Sequence, residues 1–203
     1  MSGARYPGYD VLAKRHTPSW NEKTRRVIDQ RLALPREPRF LDAAEWQTLE
    51  AVAARVVPQP PDRPPVPIAA MIDDKLKEDR RDGYRDARLP PLREAWRRGL
   101  AALDAEARQR FRVPFHSIDS AEQDALLEAA QGGRLAHPAW GGMRCGLFFA
   151  KRLLLDIVTA YYGHPTAWSE IGFGGPASPR GYVRMEFDRR DPWEAVEDKP
   201  HAG

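Results

Sequence analysis

Six of the ten residues from 58 to 67 (Pro58-Gln59-Pro60-Pro61-Asp62-Arg63-Pro64-Pro65-Val66-Pro67) are proline, and neither a helix nor a central strand can run through such a stretch. Each proline lacks a backbone N–H and has its φ fixed by the ring. The run therefore favours an extended, polyproline-like crossing that connects other elements. The remainder of the chain's 19 prolines also fall outside its periodic apolar segments, so they punctuate a series of helices rather than break them. A chain of 203 residues with 42% hydrophobic content can bury a core as one domain, or as one domain with arms.

Between these punctuation marks the apolar spacing is helical. Thr17-Pro18 reads as a cap followed by proline at the first helical position, with Trp20, Val27, Ile28 and Leu32 as a narrow stripe closed by Pro35. Asp42-Ala43-Ala44-Glu45 reads as a capping box, followed by Trp46, Leu49, Ala53 and Val56. Pro67 primes a helix through Ile68, Met71, Ile72 and Leu76. Residues 91–111 follow with Leu92, Trp96, Leu100 and Leu103 inward, and Asp104 is expected to re-cap a new turn. Ser120-Ala121-Glu122-Gln123 reads as another capping box, opening a helix with Leu126, Leu127 and Ala130 inward and stopped by Gly132-Gly133. The last strong helix spans residues 147–162. Its expected stripe is Leu147, Ala150, Leu154, Ile157, Val158 and Tyr161, with Phe148, Phe149 and Leu153 adding apolar surface off it. A helix apolar this far round is central in a bundle or shared with a partner.

Beyond Gly163 the chain turns rich in Gly, Pro and aromatic residues, and residues 164–182 are not expected to form a regular helix. Val183-Arg184-Met185-Glu186-Phe187 alternates apolar and charged, as a strand added to another chain would, or an extended arm. The expected fold is all-α, a mainly helical bundle with extended Pro/Gly-rich arms and at most one short strand. Its parts are an N-terminal arm (1–39) with one short helix, a helical core (40–162), and a loop, extended segment and charged tail (163–203).

Several function classes are disfavoured. The 32 basic residues interleave with 29 acidic ones, as in Lys75-Leu76-Lys77-Glu78-Asp79-Arg80-Arg81-Asp82, which does not make a nucleic-acid patch. A single cysteine, Cys145, excludes an intrachain disulfide or a multi-cysteine metal site. It reads as a small buried side chain or, alternatively, as a thiol activated by a helix N-terminus, with no base beside it in sequence. None of the five histidines pairs at helical ligand spacing. His137-Pro138-Ala139-Trp140 and His164-Pro165-Thr166-Ala167-Trp168 each read as a capped turn with a packed indole. Asp73-Asp74, and Glu186 with Asp188, read as solvated carboxylates. Gly172-Phe173-Gly174-Gly175-Pro176 lacks the strand and helix that flank a dinucleotide loop. It suits a surface lying flat against another protein. No apolar run is long enough to span a bilayer. No secretory signal opens the chain, and Arg25-Arg26 is followed by charged residues, so a cytoplasmic location is expected unless a partner carries the chain out.

Four blocks in order resemble one family. They are Phe40-Leu41-Asp42-Ala43-Ala44-Glu45-Trp46-Gln47-Thr48-Leu49-Glu50 with its Arg55-Val56-Val57-Pro58 close, Arg98-Gly99-Leu100-Ala101-Ala102-Leu103-Asp104, Ala121-Glu122-Gln123-Asp124-Ala125-Leu126-Leu127, and Trp168-Ser169-Glu170-Ile171-Gly172-Phe173-Gly174-Gly175-Pro176. Together, over about residues 40 to 182, they look like gluconate 2-dehydrogenase subunit 3. The resemblance implies a non-catalytic accessory subunit of a large glucose–methanol–choline-type flavoprotein, often accompanied by a cytochrome subunit. The large chain would bind FAD and oxidise an alcohol or sugar. The small chain would help it fold, and in many systems carry it across the membrane by a twin-arginine signal, which this sequence does not display. No catalytic, cofactor-binding or metal residues carry over. The candidate partner contacts are Phe148, Phe149, Tyr162, His164, Trp168, Ile171, Phe173, Gly174, Gly175, Tyr182, Met185 and Phe187. The alternatives are an independent small enzyme using His164 or Cys145, and a helical adaptor unrelated to redox chemistry.

Overall fold

The computed structural model describes residues 5–61, 63–84, 86–176 and 189–198, and four of the helices there start at a side-chain cap. In chain order they are α1 (Glu22–Leu32), α2 (Ala43–Val56), α3 (Ile68–Lys77), α4 (Leu92–Phe111), α5 (Ser120–Gln131), α6 (Cys145–Phe148), α7 (Leu154–Tyr162) and α8 (Pro165–Glu170). A π-turn, Phe149–Leu153, joins α6 to α7, and 3-10 turns occupy Val11–His16, Phe115–Ser117 and Pro138–Trp140. The protein is all-α, with no strand among the described residues. The expected Val183–Phe187 strand lies outside them. The chain divides into two compact units, one of residues 35–61 and 67–161, the other of residues 1–34, 62–66 and 162–203.

In the first unit, Asp42 and Glu45 form the anticipated reciprocal capping box at the start of α2. The box that starts α5 is set one residue earlier than expected. Asp119 is the cap and Glu122 its partner, because the cap side chain must reach the amide three residues on. α2 packs against α3, α4 and α5, and the Phe115–Ser117 turn closes on both α2 and α4. Trp46, Leu49, Val52, Ile72, Leu76, Trp96, Leu100, Leu103, Leu126 and Leu127 fill the core. Val52, rather than Val56, completes the α2 stripe. Asp104 does not re-cap α4, which runs unbroken for 20 residues. Its carboxylate instead accepts from the Phe115 N–H at 3.0 Å and pairs with Arg108.

The helix after Gly142 departs from its expected stripe. Ala150, Leu154 and Leu155 point outward, and Leu147 and Val158 are half-buried. Cys145, Phe148, Phe149, Arg152, Leu153, Asp156, Ile157, Ala160 and Tyr161 are buried. The buried positions recur every fourth residue from Cys145 to Tyr161, a period longer than an α-helix has. Over those four steps a pure α-helix would drift by roughly 160°. The extra residue in the π-turn removes about 100° of that drift. The buried face then carries Arg152 and Asp156 as well as apolar side chains.

In the second unit the chain begins with the Val11–His16 turn, capped by Asp10, whose side chain accepts from the Leu12 N–H at 2.9 Å. The expected helix start at Thr17-Pro18 is not used. Thr17 closes the preceding turn, and α1 begins at Glu22 with Asn21 as its cap. Consequently Trp20 precedes the helix, and of the expected stripe only Trp20 and Ile28 are buried. Val27 and Leu32 stay exposed. Val11, Trp20, Ile28 and Trp168 form this unit's core, with Tyr9 and Leu12 packed against it.

Candidate functional site

The C-terminal segment of the second unit contains a short helix that the sequence reading did not anticipate. His164 Nδ1 accepts from the Thr166 N–H at 3.3 Å, Pro165 fills the first helical position, and α8 runs to Glu170. The His-Pro pair is thus a helix start, with the proline N–H it lacks being one the helix would leave unpaired. The buried Trp168 indole donates to the Tyr162 carbonyl at 2.6 Å. The Val11 N–H donates to Ser169 Oγ at 3.1 Å, while Arg31 lies over the Trp168 ring and donates to the Gly163 carbonyl at 2.8 Å. Arg63 pairs with Glu170 at 2.7 Å.

The glycine-rich loop continues directly from this helix. The Phe173 N–H donates to the Trp168 carbonyl at 2.9 Å, and the Phe173 ring stands edge-on to Trp168 with 5.6 Å between centroids. Gly172 and Gly175 both have positive φ, +67° and +71°. A Cβ at Gly172 would come within 2.6 Å of the Tyr6 ring, and one at Gly175 within 3.1 Å of Trp20 and 3.2 Å of Trp168. The close approach anticipated for a foreign chain is therefore made at these glycines by the protein's own aromatic rings.

The twelve expected contact residues separate by exposure. Tyr162 (48%), Ile171 (44%) and Phe173 (39%) are exposed on the second unit. Trp168 and His164 are buried there as core and cap. Gly175 is buried and Gly174 half-buried. Phe148 and Phe149 are buried in the first unit and so cannot serve as surface anchors. The Phe148 ring meets Trp96 edge-on at 5.7 Å and Trp140 at 6.0 Å. Tyr182, Met185 and Phe187 lie outside the described residues. Sequence reasoning missed Leu155 (50%) on the outer side of α7 and Tyr84 (80%) in the connection after α3.

The candidate chemical groups are held in structural hydrogen bonds. Cys145 is buried, and its Sγ donates to the Leu135 carbonyl at 3.4 Å. His137 Nδ1 accepts from the Ala139 N–H at 3.0 Å, while Glu106 accepts from the His137 N–H at 2.7 Å and from the Trp140 indole at 3.1 Å. A cleft of about 650 Å³ opens beside them, lined in part by Arg88, His137, Trp140, Arg144 and Cys145. Among the described residues no three or more His, Cys, Asp or Glu side chains gather in a way that could hold a metal. No described helix is long and apolar enough to cross a membrane.

Two carboxylates that sequence alone does not resolve are deeply placed in the first unit. Asp73, expected to be solvated, is 1% exposed and accepts from the backbone N–H groups of Arg39 (2.7 Å), Phe40 (3.1 Å) and Leu41 (2.8 Å). It fixes the entry to α2 from α3. Asp156 accepts from Trp96 Nε1 at 2.8 Å and from Lys75 at 2.9 Å. Lys75 and Arg152 also bond Asp82 at 2.6 and 2.8 Å. Burial pushes the Asp82 carboxyl up, but hydrogen bonds and charge from Lys75 and Arg152 outweigh it and hold the group below the usual carboxylate range. Lys75 and Arg152 each pair with both Asp82 and Asp156, so the network clamps the connection after α3 to the helix that carries Asp156.

The sequence model described as Gluconate 2-dehydrogenase subunit 3 matches residues 43–175, from the start of α2 to the end of the glycine-rich loop. No curated protein and no solved structure matches the chain. The family match takes in more than half of the chain, with α2 to α8 and the Trp168–Gly175 segment inside it. The chain therefore belongs to the gluconate 2-dehydrogenase subunit 3 family.

Proposed function

We propose that this protein is a non-catalytic small subunit that binds and stabilises a large FAD-dependent alcohol or sugar dehydrogenase of the glucose–methanol–choline type. The observation that carries the reading is the exposed set Tyr162, Ile171 and Phe173, flanking a short helix pinned by buried Trp168. Aromatic and aliphatic side chains held out of a firmly anchored scaffold are the kind that supply most interface energy. A non-catalytic role is supported by His164 and Cys145, whose Nδ1 and Sγ are engaged with backbone groups. FAD would sit in the large subunit and carry out the redox chemistry there. This chain would contribute by mass action, binding the folded partner and not the unfolded one. In some assemblies a cytochrome subunit would join the pair.

The reading is tested by purifying the tagged chain from its source. The wild-type chain is expected to elute with a large subunit whose absorbance and mass identify bound FAD. An Ile171→Asp/Phe173→Asp variant of unchanged melting temperature is expected to elute without it. Recovery of the wild-type chain with no flavin-bearing partner would overturn the proposal.

A further inference from the structure

Lys14 is 7% exposed, an uncommon setting for an ammonium group. Its Nζ donates to the carbonyl oxygen of Gly174 at 2.8 Å, across 160 residues of sequence. A buried amine is tolerated only when its hydrogen bonds are satisfied, so this contact is specified on both sides. A Cβ at position 174 would stand 2.9 Å from Nζ, and glycine is what lets the ammonium reach the carbonyl. On either side of Gly174, the Tyr6 ring covers Gly172, and Trp20 and Trp168 cover Gly175. Phe173, between Gly172 and Gly174, is thereby presented to solvent from a loop tied down on its inner side.

We infer that Lys14 is a positioning residue for partner binding: through the Gly174 carbonyl it fixes residues 171–175, so that Phe173 meets the partner already oriented. The inference rests on the accessory-subunit reading above. Ordering a loop before association removes an entropic cost that would otherwise weaken the complex. Lys14 acts through the loop rather than by contact, so its removal should lower affinity without removing apolar interface.

The test compares wild type, Lys14→Met, Lys14→Arg and Gly174→Ala as full chains. Hydrogen exchange of residues 171–176 is measured on the isolated protein, and affinity is measured for the FAD-bearing subunit that co-purifies with wild type. Lys14→Met is expected to speed loop exchange, leave the exchange of α1 unchanged, and weaken binding roughly tenfold. Lys14→Arg, which keeps a donor, should restore much of both. Gly174→Ala displaces only the flexible end of Lys14 and should reproduce the Met variant even if the latter folds poorly. Unchanged loop exchange, or a freed loop with unchanged affinity, would overturn the inference. If wild type has no flavin-bearing partner, the accessory-subunit reading fails instead, and the affinity part of the inference fails with it.

Discussion

At Gly99, in the middle of α4, two opposing effects can be weighed. Alanine would gain about 1 kcal/mol of helix propensity over glycine. Its Cβ would, however, lie 2.2 Å from Cζ of Phe148, a ring with no exposed surface and no room to retreat. Over-packing of that kind costs roughly 1–3 kcal/mol. Gly99→Ala is therefore expected to destabilise the protein in urea unfolding by up to about 2 kcal/mol. The loss should shrink in a Phe148→Leu background, where the ring is absent, and equal losses in both backgrounds would contradict the packing argument. Asp73→Ala strands three backbone amides at the entry to α2. It is expected to cost about 3 kcal/mol, far above the effect at an exposed carboxylate. At Asp82 the sign of the pH effect follows from the depressed carboxyl. The folded state binds this proton less tightly than the unfolded chain does. The clamp's contribution is present above the ordinary carboxylate value near pH 4 and lost as pH falls below it. Acid melts should show wild type losing stability more steeply there than Asp82→Asn, and parallel curves would contradict the assignment.

Among the elements, the π-turn makes the sharpest prediction. It holds one residue more than an α-helical turn, so deleting exposed Ala150 should convert it to α-helix and leave the downstream face in register. Deleting exposed Ala101 from the regular helix α4 should instead rotate every later residue by about 100° and abolish cooperative folding. Circular dichroism melts of both deletions decide this. If both unfold alike, the π-turn is not an insertion in an otherwise regular helix. The same element shows what could be read from sequence. The capped helix at Asp42, the α4 stripe and the Gly132-Gly133 stop follow from local rules that act within one turn, and they were legible. The π-turn, the Asp73 amide site and the Asp82–Arg152–Asp156 clamp depend on partners far along the chain, and no local pattern marks them. The His164-Pro165 start of α8 used a legible signal, but the surrounding glycines and prolines outweighed it. Which of the candidate contact residues are exposed was legible only in part. Ile171 and Phe173 are exposed as expected, whereas Phe148 is apolar for core packing, a distinction that composition cannot draw.

At the scale of the whole molecule, the two units each have their own apolar core. The larger holds its caps, its buried clamp and its aromatic packing within residues 35–61 and 67–161, so a fragment spanning 35–161 is expected to fold with a cooperative melt. A fragment without a sharp transition would show that the larger unit depends on the rest of the chain. The smaller unit joins the N-terminal segment to the segment after α7, and it carries the exposed side chains assigned to partner contact. The proposed role depends on the chain binding a flavoprotein subunit. Its most direct test is the FAD content and substrate-dependent dye reduction of that large subunit, produced with and without this chain. Several-fold more soluble, FAD-loaded and active large subunit is expected when the chain is present. Equal flavin loading and equal turnover in its absence would contradict it.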